Sequence, residues 1–298
     1  MTESLVVIVR GRGVRSRGGE IAPAVLARIY ERGLGLLTGQ TGAEEALRTL
    51  FAPSDKVGIK INAIAGRELT SPPAVTLPFA GLFSRIGIAD RNVVIWDRTN
   101  RELRAAGYAL NADGPGPRIL GTDTAGVGYD AEPFVHRNIA SRISAVLTDR
   151  VTASVSFAIL KDHGLAGVTA GMKNYFGAIH NPNKYHDDHC DPFVAELFDA
   201  PPVRTRHRLT VLDALVVQCH RGPAFHAAWA APAESLIFGT DPVAVDAAGW
   251  RLVERLRKEK GLPTLAEEGR PPLYLQTAER LGLGRAAEAD IRLLEDEV

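Results

Sequence analysis

Apolar residues fall along the chain in two kinds of grouping. Short, mostly apolar runs at residues 5–9, 57–61, 93–96, 118–120, 153–160, 209–212 and 235–238 have the length of strands. They lack the polar alternation of a half-exposed strand, which predicts strands covered on both faces. Between and after them, residues 22–37, 43–51, 73–86, 101–106, 139–148, 168–179, 192–198, 242–260 and 273–281 read as helices. The alternation predicts an α/β fold, a largely parallel sheet covered by helices. Thr99 and Glu102 have capping-box spacing with Gly107 as the stop, and Asp241 before Pro242 caps a helix that Gly261 closes. The proline- and arginine-rich stretch 200–208 is the internal linker candidate, so the chain reads as one unit or as two lobes meeting there.

Composition narrows the function classes. With 298 residues, 45% of them hydrophobic, the chain can bury an enzyme-sized core. Lys plus Arg and Asp plus Glu both total 35. No global field therefore favours nucleic acid or an anionic membrane, and the expected partner is a small-molecule substrate held locally. A homo-oligomer is left open. Two cysteines, Cys190 and Cys219, are too few for a ferredoxin-type cluster or a disulfide framework. No iron–sulfur cluster is expected, and the expected compartment is a reducing cytoplasm. The opening residues lack a signal-peptide pattern, and no run approaches membrane-spanning length.

Ligands of doubly wound sheets bind beyond the carboxyl ends of the strands. Here those ends carry Asn62, Asp97 and Arg98, and the group Lys161, Asp162 and His163. Asp213 and Asp241, also at strand ends, read as turn and capping acids. Lys60, inside an apolar run, either lies near its strand end or points into a cavity as a cation for carboxylate or phosphate. Asp246 shares a helix face with Val243 and Trp250, so it reads as a buried carboxylate that supports a lysine or a backbone amine from behind the site.

Residues 159–180 hold the densest chemistry, two lysines, two histidines and an aspartate among glycines. If 168–179 is helical, Lys173, Gly177 and His180 share one face, with a notch at Gly177 where a ligand would lie between lysine and histidine. Asn174 lies within this stretch. The loop that follows contains Asn181, Asn183, His186, His189 and Cys190. Its last three members have ligand types that a divalent zinc, iron or nickel ion would suit, with Cys219 and His220 as a second pair. The alternative is a solvated polar loop. A glycine- and arginine-rich loop at 11–19, with Arg12, Arg15 and Arg17, lacks dinucleotide-fingerprint or P-loop spacing but could hold an anion.

Seven segments together resemble domain-of-unknown-function family 362, in a branch without the ferredoxin module. They are residues 57–62, 95–102, 160–167, 171–177, 180–186, 190–192 and 240–246. Many members carry a cysteine-rich iron–sulfur module that is absent here, and residues 70–73 read Thr-Ser-Pro-Pro where the family often has histidine before proline. A second, shorter resemblance runs from His163 through Gly167 and Gly171 to Lys173. It is similar to a segment of the nickel-pincer lactate racemase family, and implies His163 as the proton-transfer residue, Lys173 as the anchor of cofactor or substrate, and His189 as a metal-facing histidine.

The leading expectation is an enzyme on a polar carboxylate, racemase- or epimerase-like, starting with removal of hydrogen from carbon. His163 and His180 supply acid/base chemistry, Lys173 and Lys161 hold the anion or a cofactor, and Asn62, Asp97 and Asn174 orient the ligand. The rivals are a non-catalytic metal- or cofactor-binding protein using His186, His189 and Cys190, and a nucleotide- or phosphate-binding module centred on Lys60, Arg98 or the arginine loop.

Overall fold

The computed structural model describes residues 3–16 and 18–298, so Arg17 of the arginine loop lies outside the described residues. In chain order the first half contains β1 (Ser4–Arg10), α1 (Pro23–Thr38), α2 (Gly42–Leu50), β2 (Val57–Lys60), α3 (Pro73–Arg85), β3 (Val93–Asp97), α4 (Asn100–Ala105), β4 (Arg118–Gly121), β5 (Phe134–His136) and β6 (Ile139–Ser141). The second half contains β7 (Ala153–His163), β8 (Gly167–Thr169), α5 (Phe193–Asp199), α6 (Pro201–Arg204), β9 (His207–Gln218), β10 (Ala230–Gly239), α7 (Pro242–Glu259), α8 (Tyr274–Arg280) and β11 (Ile291–Glu297).

Among the described residues, nine strands join in one sheet of order β11-β1-β10-β9-β7-β2-β3-β4, with β8 paired to β7. The run β9-β7-β2-β3-β4 is parallel, as is β1 with β11; β10 is antiparallel to both neighbours. Strand alternation sends adjacent apolar residues to opposite faces. Val6 and Ile8 join the core formed with Leu197, Leu252 and Leu275 of α5, α7 and α8. Val7 and Val9 join Leu26, Leu47 and Phe79 of α1, α2 and α3. Coverage on both faces explains the mostly apolar runs.

The stretch 200–208 is not a linker. It forms α6 and leads into β9, which pairs with β7 and β10 in the middle of the sheet, so the sheet runs through the expected lobe boundary. Two expected helices are also absent. Residues 139–148 give β6 and then a π-helical turn, Val146–Arg150. Residues 168–179 give the end of β8 and a 3-10 turn, Lys173–Ala178. Gly167, at φ +76°, allows the chain to double back so that His163 pairs with Gly167 and Lys161 with Thr169. The sequence reading also passed over β11, a charged edge strand fastened by Arg12 to Glu297 and by Arg32 to Asp296. No helix among the described residues is long and apolar enough to cross a membrane.

Candidate functional site

β2 ends at Lys60, opposite Ser156, but β7 runs on to His163. The overhang of β7 and its hairpin partner β8 wall one side of a cavity of about 140 Å³. The end of β3 closes another side with Asp97 and Arg98, and the 3-10 turn and the loop after it close the rest. The cavity thus lies beyond strand carboxyl ends, where βα connections converge.

Lys60 is anchored at the base. Its Nζ donates to Asp97 Oδ1 at 2.6 Å, to the Ile61 carbonyl at 2.6 Å and to Asn174 Oδ1 at 3.2 Å. All three ammonium protons have acceptors, so Lys60 is not a free cation for a ligand. Asp97 Oδ2 accepts from the Ala63 amide, and Asn174 Nδ2 donates to the Lys60 carbonyl and Ser156 Oγ. These residues line the cavity, but their polar atoms mainly fix one another. Gly177 makes the arrangement sterically feasible, because a Cβ there would stand 2.6 Å from Lys60 Nζ and 2.7 Å from Asp97 Oδ1. The notch expected at Gly177 is therefore filled by this ion pair.

Lys161 is the opposite case. It is fully buried and lines the cavity, yet its Nζ has no hydrogen-bond partner among the described residues. Burial, aided by the nearby Lys173 charge and opposed by Asp97, lowers its pKa to about 8. Lys173 is also brought down to about 8 by burial, with the neighbouring Cys190 favouring its charged form. Its Nζ lies 3.1 Å from His186 Nε2 and 4.2 Å from the centroid of the Phe176 ring.

Backbone contacts set the two histidine tautomers. His163 Nδ1 accepts from the amides of Leu165 and Ala166 in the β7–β8 turn, both at 3.2 Å, which leaves the proton on Nε2. Burial, then the charges of Lys173, His186 and Lys161, depress its pKa to about 2, so the ring is a neutral donor. His186 has the converse arrangement. Its Nδ1 faces the Pro182 carbonyl at 2.9 Å and so carries the proton, leaving Nε2 to accept from Lys173. The two rings stack with centroids 5.7 Å apart.

Several expected members lie elsewhere. Asp162 follows Lys161 on β7 and so points to the opposite face, where it accepts from Arg270 at 2.6 Å and the Gly222 amide at 2.7 Å. His180 is exposed and packs edge-on against Tyr129, because the 3-10 turn does not keep the face of an α-helix. Asn181 accepts from Ser141 Oγ away from the cavity. Asn62 and Asn183 stand at its wall and rim. Asp246 accepts from the amides of Gly171 and Met172 and from Tyr274 OH, holding from behind the backbone that leads into Lys173. Burial raises its pKa to about 7 against these three donors.

The suggested metal ligands do not converge. His186 faces the cavity, His189 Nδ1 meets the Leu165 carbonyl, and Cys190 is buried with its thiol 4.0 Å from the His186 carbonyl. No group of three or more His, Cys, Asp and Glu among the described residues is placed to hold a metal ion. In the arginine loop, Arg12 pairs with Glu297 and the Gly13 amide donates to Glu234. The sequence reading missed Glu102, Thr169 and Phe176 as lining residues. Only the strand-end rule, extended one helical turn past Arg98, could have pointed to Glu102.

No curated protein matches the chain. A crystal structure of a Thermotoga maritima protein from a structural-genomics consortium is similar at 10% identity and a TM-score of 0.44, over 81% of this chain and 60% of that one. The chain therefore spans about three fifths of that protein's length. The family model described as Domain of unknown function (DUF362) matches residues 57–251, a span that includes the strand ends, the cavity and Asp246, and the chain belongs to that family.

Proposed function

We propose that the chain is an enzyme that takes a small polar carboxylate into this cavity and moves a proton at a carbon next to its carboxyl or carbonyl group. The observation that carries the reading is the unpartnered Lys161 ammonium in a partly enclosed cavity rich in hydrogen-bond donors. A buried cation without a counter-ion is costly, and an anionic guest supplies what the protein leaves out. Arg98 adds a second positive group at the wall, which it shares with the Glu102 carboxylate. The volume is below the roughly 300–1,000 Å³ of pockets that take drug-sized ligands, which favours a short-chain acid.

The tautomers favour an exchange of roles relative to the sequence expectation. His163, neutral and with Nε2–H free, suits hydrogen-bond donation to a carboxyl or carbonyl oxygen. Proton transfer falls to the Lys173–His186 pair, because an amine with pKa about 8 exchanges protons readily near neutral pH. Asn174, Asp97 and Lys60 keep the base of the cavity rigid.

The test is solvent-deuterium incorporation. Short-chain 2-hydroxy, 2-amino and 2-oxo acids are incubated with the protein in heavy water and followed by proton NMR. The expected result, for at least one class, is exchange at C2 of the 2-hydroxy or 2-amino acid or at C3 of the 2-oxo acid, abolished in Lys173→Met. Absence of exchange across all three classes contradicts the catalytic reading.

A further inference from the structure

We propose that Lys161 is an amine nucleophile that forms a Schiff base with a small 2-oxo acid. The inference deepens the reading above and rests on its carboxylate site. Two lysines of one cavity supply the argument, since they share a residue type but not an environment. Lys60 has three acceptors, one of them a carboxylate, and is locked as a counter-ion. Lys161 has none, is fully buried, and has the Lys173 charge as a neighbour. A lysine required only as a fixed cation is built like Lys60. One desolvated beside another cation keeps a share of neutral amine, the form that attacks carbonyl carbon.

The spacing fits a carbonyl next to a carboxylate. Lys161 and His163 project from the same side of β7, about 6.6 Å apart at Cα. Arg98 and His163 Nε2–H then take the carboxylate while Lys161 Nζ reaches the adjacent carbonyl carbon. In the step, the nitrogen lone pair forms the C–N bond as the carbonyl π pair moves to oxygen, which takes up a proton. The resulting carbinolamine loses its hydroxyl as water when the nitrogen pair forms C=N. Net, an ammonium and a carbonyl give a protonated imine and one water, with no redox change. The positive imine draws electrons from the neighbouring carbon, whose proton lies within the remit of the Lys173–His186 pair.

The experiment traps the imine. Glyoxylate and pyruvate are each incubated with the full chain and cyanoborohydride, and adducts are counted by intact mass and located by peptide mapping. Pyruvate binding is measured separately by calorimetry. The expected result is one adduct per chain on Lys161, at a rate at least tenfold above the exposed Lys56 and Lys184. The adduct is absent in Lys161→Arg, and in the unmodified chain its initial rate of formation is half-maximal near pH 8. A pKa lowered from 10.5 to about 8 raises the neutral fraction by about 300-fold near neutral pH, so tenfold selectivity is a conservative threshold. Adducts on Lys173 alone, or spread over surface lysines, overturn the assignment. Pyruvate binding without any adduct overturns the Schiff base and leaves the carboxylate site standing; neither binding nor adduct overturns both.

Discussion

Replacing Lys161 with methionine should make the protein more stable. Methionine has a similar length, fills the same space with apolar atoms and carries no charge to desolvate. The lysine's pKa falls from 10.5 to about 8 on folding. At about 1.36 kcal/mol per pKa unit, this is a penalty of roughly 3 kcal/mol on the folded state, an upper bound because the surroundings relax. The sign follows from proton counts. Between about pH 8 and 10.5 the unfolded chain binds more protons at this site, so wild-type stability climbs with pH across that window. Below pH 8 the whole penalty is present, and above about 10.5 it is gone. The Lys161→Met gain should therefore be largest and constant below pH 8, and should fade to the packing difference alone by pH 10.5. Urea unfolding of both proteins from pH 6 to 10.5 measures the difference directly, and near neutral pH a rise in Tm of order 5 °C should accompany it. A variant less stable than wild type at pH 7, or a gain independent of pH, would refute the claim that Lys161 is held uncompensated in the unliganded protein.

Other substitutions probe the frame around it. Lys60→Met leaves the Asp97 carboxylate buried without its cation and should cost about 3–5 kcal/mol in denaturant unfolding, the reverse of the effect at Lys161. Gly177→Ala drives a methyl group against Lys60 Nζ and Asp97 Oδ1, and should cost about 1–3 kcal/mol and weaken carboxylate binding, as read by unfolding and calorimetry. Asp246→Asn replaces a carboxylate that serves three donors with an amide that offers one oxygen, and should cost about 1–3 kcal/mol by unfolding. His180→Ala should change stability by about 0.5 kcal/mol or less and leave binding intact, whereas loss of binding would return His180 to the site.

The sheet was legible because burial on both faces writes strands as mostly apolar runs, and residues 57–61, 93–96 and 153–160 fall on β2, β3 and β7. The strand-end rule likewise selected Asn62, Asp97, Arg98, Lys161 and His163, all of which line the cavity. The local backbone between Gly164 and His180 was not legible. Apolar spacing there suits a helix, but β7 offers Val168 and Thr169 cross-strand partners, and four glycines lower the cost of leaving the helix. That difference removed His180 from the site and brought His186 in. Nor does sequence specify which lysine has a counter-ion. Lys60 lies within one apolar run and Lys161 follows another, and only the approach of Asp97 from the end of β3 and of Asn174 from the 3-10 turn distinguishes them. The histidine tautomers depend in the same way on carbonyls and amides of neighbouring turns.

The central claim is that Lys161 faces a carboxylate guest. Titration calorimetry of lactate, alanine and pyruvate against wild type and Lys161→Met, near neutral pH, tests it most directly. The expected result is saturable binding of at least one acid to wild type, weakened about 10- to 100-fold in the variant, as for loss of a charge-assisted hydrogen bond. Equal affinity for both proteins, or no binding to wild type by any of the three, would contradict it.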